Sequence, residues 1–191
     1  MRAPGGAGFF IPLFLVQFLS WGAMFALWVF ALPHIRLALH LQEPDALRLV
    51  GLGLALYAAL GAFVNFALPA GYRAMGMMRT HALALTLSGA GLMLVARADS
   101  AFWLLSGYAL TGLGWASIST TPYALVSERV TDGRYSRAMA RFNFSVVLPQ
   151  ITVALALGWL VEVVAPSTAI LVGAGAMWLA AVLTLLFSLE V

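Results

Sequence analysis

Phe14 to Pro33 reads FLVQFLSWGAMFALWVFALP, twenty residues without a charged side chain. A bilayer hydrocarbon core about 30 Å thick is crossed by about 20 apolar residues in helical conformation, so this block is long enough to span one. It lacks the period-two alternation of a barrel strand, and a helix satisfies every backbone amide within lipid. Working outward, six such stretches follow one another: 9–32, 49–70, 80–96, 102–126, 142–161 and 169–189, each bounded by charge, proline or glycine. The first is too long for a signal-peptide core and lacks a convincing small-residue cleavage site, so it reads as a retained helix. The expected fold class is all-α integral membrane, one domain over 1–191.

Composition points the same way. Of 191 residues, 63% are hydrophobic and 9% charged, against about 25% charged in soluble domains. Six spans leave no room for a separate soluble domain. All ten basic residues are arginines lying between the apolar blocks, so the net charge of +3 reports topology and not nucleic-acid binding. Arg2, Arg73, Arg79, Arg129, Arg134, Arg137 and Arg141 fall on the N-terminal side, against Arg36, Arg48 and Arg97 opposite. That asymmetry predicts a multi-pass protein of the plasma (inner) membrane with both termini cytoplasmic. With no cysteine, disulfide frameworks, thiol nucleophiles and thiolate metal sites are excluded.

Polar side chains are unevenly shared among the spans. The third and sixth offer only Thr86, Ser88, Thr184 and Ser188, hydroxyls able to bond back to their own backbone, and are expected to face lipid. The first, fourth and fifth carry Gln17, Ser20, Ser117, Ser119, Thr120, Thr121, Tyr123, Asn143, Ser145, Gln150 and Thr152, and are expected to face inward. Each triplet of spans ends in its most apolar member, compatible with a three-plus-three inverted repeat.

Three groups could carry chemistry. In the first span Gln17, Trp21, Met24 and Trp28 recur along one stripe; an amide beside indole rings suits a sugar, and interhelical packing with Trp28 near a membrane interface explains the same spacing. In the fifth, Asn143 and Gln150 share a face on either side of Pro149, for a ligand or for interhelical hydrogen bonds. The fourth is dense in small residues from Gly107 to Tyr123 and broken by Pro122, which frees a carbonyl one turn earlier. It reads as a ligand-holding broken helix or as a kinked packing helix.

No carboxylate lies in the middle of a span: Glu43, Asp45, Asp99 and Glu162 are on one side, Glu128, Asp132 and Glu190 on the other. A proton-coupling carboxylate is therefore not evident. His34, His40 and His81 are too scattered for a metal site, and no H-E-x-x-H helix or activated serine supports an enzyme.

The segments GWASISTTPYALVSERV (Gly114 to Val130) and RFNFSVVLPQI (Arg141 to Ile151) resemble the tenth and eleventh helices of the sucrose and maltose permease branch of the major facilitator superfamily, and Phe14 to Pro33 is similar to its seventh. The resemblance maps the chain onto the C-terminal six helices. It implies a secondary transporter moving a sugar such as a disaccharide with a cation, possessing no cofactor and acting as a half-transporter with a complementary six-helix half or a second copy. Gln17, Trp21, Trp28, Ser119, Tyr123, Asn143 and Gln150 are the expected substrate contacts. Arg73, Arg79 and Glu128 are the expected conformational latch, although Gly71 to Arg79 lacks the aspartate of the family's loop. The alternative is a non-transporting membrane interaction protein or a truncated permease fragment.

Overall fold

The computed structural model describes residues 7–130, 135–160 and 163–188. Arg2, Asp132, Arg134, Glu162 and Glu190, and the expected span ends at 161 and 189, lie outside them. The described residues form six helices: α1 (Ala7–Ala38), α2 (Glu43–Met75), α3 (Met77–Arg97), α4 (Ala101–Arg129), α5 (Tyr135–Leu160) and α6 (Pro166–Ser188). Most are longer than the apolar stretches that announce them, because charged residues continue the helical turns beyond the apolar limits. Arg36 closes α1, and Glu43 and Asp45 occupy the first turn of α2, next to its N-terminal proline. Negative charge there suits the helix dipole. Gly76, with φ +83°, is the single residue separating α2 from α3; a side chain would strain that left-handed turn.

Five helices, α1, α2, α3, α5 and α6, contain stretches long and apolar enough to cross a membrane. Hydroxyls and glycines dilute α4. Charged side chains gather at the two ends of the bundle, where almost all are exposed.

The most extensive packing runs α2, α4, α3, α6, α1, α5, an open arc whose two end helices do not touch among the described residues. Small residues set the close approaches. A methyl group on Gly107 of α4 would fall 2.7 Å from the Gly91 carbonyl oxygen of α3, and one on Gly112 would fall 2.5 Å from the Tyr57 carbonyl oxygen of α2. On the other limb Gly173 of α6 lies against Ala23 of α1, at 3.3 Å by the same measure. Without such residues the backbones could not nest. Between them sits an apolar core that includes Met24, Leu27, Ile35, Leu85, Leu92, Ile118, Ile170 and Met177.

This order corrects one expectation. The third helix, read as lipid-facing, lies between α4 and α6 and keeps only a narrow outer strip, with Leu83 and Thr86 exposed. The fifth ends the arc and exposes Phe144, Val147, Leu148, Ile151 and Leu155.

Candidate substrate-facing site

Three faces of α1 are spoken for differently. Ala23 meets α6 at Gly173, Gly22 meets α5 at Pro149, and the remaining face carries Trp21, Phe25 and Trp28. From α4, Gly107 and Gly114 face α3, and Gly112 faces α2. Trp115, one residue beyond Gly114, therefore emerges between α1 and α2. The backbones of α1 and α4 scarcely touch, and aromatic rings bridge them. Trp115 stands 5.2 Å from Trp21 and 5.7 Å from Trp28 between ring centroids, both edge-on, and 5.6 Å from Tyr57 of α2. Phe25 and Trp28 add an edge-to-face pair at 4.9 Å. Such geometries are favourable for aromatic pairs. The indoles are half-buried and Tyr57 is buried; Trp21 Nε1 and the Tyr57 hydroxyl are both shut off from solvent and have no partner among the described residues.

Behind this wall the proline break in α4 finds its answer. Pro122 has no N–H to give the Ile118 carbonyl. The Gln17 amide nitrogen reaches across from α1 to that oxygen at 3.5 Å. Gln17 is completely buried and its Oε1 is unpartnered, whereas Trp21 and Trp28, on the same sequence stripe, are partly open. Met24, the stripe's fourth member, belongs to the core. A strict stripe is thus split by a helix that contacts several neighbours at once.

Of the other expected contacts, Ser119, Tyr123 and Asn143 lie further toward the Arg73 end. Tyr123 of α4 donates its hydroxyl hydrogen to Asn143 Oδ1 of α5 at 3.1 Å and packs edge-on against Phe142. This pair ties two helices that otherwise meet little. Ser119 Oγ is within hydrogen-bond distance of the Trp115 and Ala116 carbonyls of its own helix, at 3.0 and 3.1 Å. Gln150 is half-buried on α5, next to Pro149, which packs on Gly22.

Arg73, Arg79 and Glu128 are all exposed, and among the described residues the ion pairs are Arg36–Glu43 at 3.2 Å and Arg48–Asp45 at 3.3 Å, both at the opposite end. What joins α4 to α1 at the Arg73 end is Arg129, its guanidinium 4.8 Å above the Phe9 ring.

Sequence reasoning missed Trp115, Tyr57 and Phe25. Trp115 stood in the quoted small-residue run without a role, and Phe25 is four residues from Trp21, a helical neighbour. The signal was there, but only the meeting of three helices selects these rings from 23 aromatics (12 Phe, 6 Trp, 5 Tyr).

The described helices thus form an arc with an aromatic, weakly polar wall where α1, α2 and α4 meet. Among the solved structures that share the fold, three are of a mutant of the peptide transporter POT. The complex with alafosfalin matches with a TM-score of 0.78 at 18% identity, covering 96% of this chain and 40% of that one. The complex with sulfate gives 0.78, 18%, 96% and 39%, and a third structure 0.79, 18%, 93% and 37%. This chain therefore spans about two fifths of the length of the transporters it matches. No protein-family model and no curated protein matches it. The fold resembles part of these membrane transporters, and five of the described helices are long and apolar enough to cross a membrane.

Proposed function

We propose that this chain is one half of a secondary transporter of the major-facilitator type that carries a sugar, such as a disaccharide, together with a cation. The observation that carries the reading is the aromatic wall of Trp21, Trp28, Trp115 and Tyr57, with its unused indole N–H and phenol hydroxyl. Sugar C–H faces stack on half-exposed indoles such as these, and the buried N–H and hydroxyl become partners for sugar hydroxyls only when the rings part. Ser119, Tyr123, Asn143 and Gln150 extend the wall in this reading, and Gln17 supports it from behind through Ile118. A peptide, as the names of the solved neighbours raise, brings charged termini. The described charged side chains sit at the bundle ends, away from this wall, which favours the neutral solute.

The packing order supports an inverted three-plus-three repeat: α6, α1 and α5 follow one another as α3, α4 and α2 do, about the α3–α6 contact. All six helices, α4 included, cross the membrane in this arrangement, with the Arg73 end cytoplasmic. A second copy or a complementary half covers the exposed flanks of α2 and α5 and supplies the other wall. Arg73, Arg79 and Glu128 latch the cytoplasmic side in an alternate state.

The test is uptake of labelled disaccharide by vesicles carrying the chain with its partner half or as a cross-linked dimer. Trp28→Ala and Trp115→Ala should each weaken sugar affinity about tenfold, equivalent to about 1.4 kcal/mol. Single cysteines at Pro44 and Ser127 should label from opposite sides, and cysteines at Phe66 and Leu155 should cross-link to the partner. Uptake of dipeptides but not disaccharides, or unchanged sugar affinity in both variants at normal protein level, defeats the sugar reading.

A further inference from the structure

Most hydroxyls in this bundle turn back on themselves. Thr86, Thr111, Thr152 and Thr184 each donate to the carbonyl four residues earlier in their own helix. Ser117 and Thr121 of α4 behave differently. Ser117 Oγ lies 2.6 Å from Thr121 Oγ1 and 3.1 Å from His81 Nδ1 of α3, and Thr121 Oγ1 lies 2.7 Å from the Tyr72 hydroxyl of α2. Four side chains from three helices form one unbroken line of hydrogen-bonding atoms. One end is the half-buried Tyr72, next to the exposed Arg73; the other is a completely buried imidazole whose Nε2 has no partner among the described residues.

We propose that His81 is a proton-binding site, reached from the Arg73 end through Tyr72, Thr121 and Ser117, and that its protonation drives a change in the packing of α3.

A hydroxyl donates one hydrogen bond while accepting another, so a line of hydroxyls conducts protons by successive hops. A proton arriving from water at the Tyr72 oxygen releases the phenolic proton to Thr121. Thr121 passes its own to Ser117, and Ser117 passes its own to the His81 Nδ1 lone pair. Each O–H broken is replaced by one formed, and the net change is one proton taken up and an imidazole converted to imidazolium.

The surroundings couple this event to conformation. The described part of α6 has no titratable residue, and neither has α1 between Phe9 and Pro33; His34, beyond it, sits at the opposite end, 2.8 Å from the Val95 carbonyl. From α2 the titratable groups at this end are Tyr72 and Arg73, from α4 they are Tyr123, Glu128 and Arg129, and on α3 itself it is Arg79. Glu128 and the arginines are exposed or half-buried near the helix ends. Among the described residues no carboxylate is hydrogen-bonded to the imidazole, so a charged His81 is poorly accommodated in this packing and favours one that admits water or an acceptor at Nε2. Proton occupancy and the position of α3 are then two faces of one equilibrium. As a coupling site this rests on the transport reading; as a proton site it does not.

The experiment measures deuterium exchange of α3 in nanodisc-embedded protein across about pH 3 to 8, a window wider than the one in which histidine ordinarily changes charge. The wild type should show a one-proton transition in the segment from Thr80 to Ser88, and His81→Gln should lose it. Thr121→Val should keep the transition and approach it about tenfold more slowly after a pH jump. If His81→Gln is poorly folded, the Thr121→Val kinetics decide alone. A wild-type transition surviving in His81→Gln, no transition in the wild type, or an unslowed Thr121→Val overturns the proposal. In vesicles, acid on the Arg73 side should change the rate of sugar movement by the wild type and not by His81→Gln. Absence of any uptake with the exchange transition intact counts against the transport reading and leaves the proton site supported.

Discussion

The third and fifth helices make an instructive pair. By sequence α3 is nearly bare of polar groups and α5 is among the richest, yet 56% of the most apolar stretch of α3 is buried inside the chain against 17% for α5. Between these two helices, burial follows side-chain size more closely than polarity. The inner face of α3 carries Ala82, Ala84, Ser88, Gly89, Gly91 and Ala96, so α4 and α6 can approach its backbone from two sides. The open flank of α5 is built of Phe144, Leu148, Ile151 and Leu155, large groups that hold a neighbour at a distance. Dispersion and close packing, with no hydrophobic drive between helices in lipid, decide which helix becomes central.

Glycine substitutions test this difference most severely. Gly107→Ala at the α3–α4 contact forces a methyl group against the Gly91 carbonyl and should destabilise by about 1–3 kcal/mol. Gly51→Ala and Gly175→Ala, where nothing lies within 4 Å of the added carbon, should leave unfolding in detergent nearly unchanged. Equal effects at all three would mean that small-residue nesting does not organise the bundle. A narrower probe is the bond joining α1 to α4. Gln17→Leu should cost about 1–2 kcal/mol, because the Ile118 carbonyl loses its donor. In a Pro122→Ala background, where the helix supplies its own N–H, the same change should cost less, and a double-mutant cycle showing no coupling would sever that link. At the weak end, Arg36→Gln removes an exposed ion pair and should change stability by less than about 1 kcal/mol. A larger loss would give the α1–α2 turn an importance that its exposure denies it.

Much of the candidate site was legible only in pieces. Trp21 and Trp28 were readable as a helical stripe, and Asn143 as an inward-seeking amide; Tyr123 as its partner was not, because the two stand on different helices, twenty residues apart. Pro122 announced a free carbonyl, while the identity of its donor, 101 residues away in sequence, did not follow from any local pattern. His81 looked like a residue at a helix edge. Ser117, Thr121 and Tyr72 give it a different character, and these come from two other helices.

By itself the sequence determined six helices, their approximate limits and a membrane as their solvent, since an unbroken apolar run in lipid has one way to satisfy its backbone and glycine, proline and charge mark where that run stops. Tertiary structure alone decided the order of packing, the split of the first helix's stripe into a buried amide and an open aromatic wall, and the line of hydroxyls leading to a buried histidine. Periodicity fixes which residues share a face of one helix. Which neighbour that face meets depends on where two backbones can approach within a glycine's width, and that is a property of pairs of helices distant along the chain.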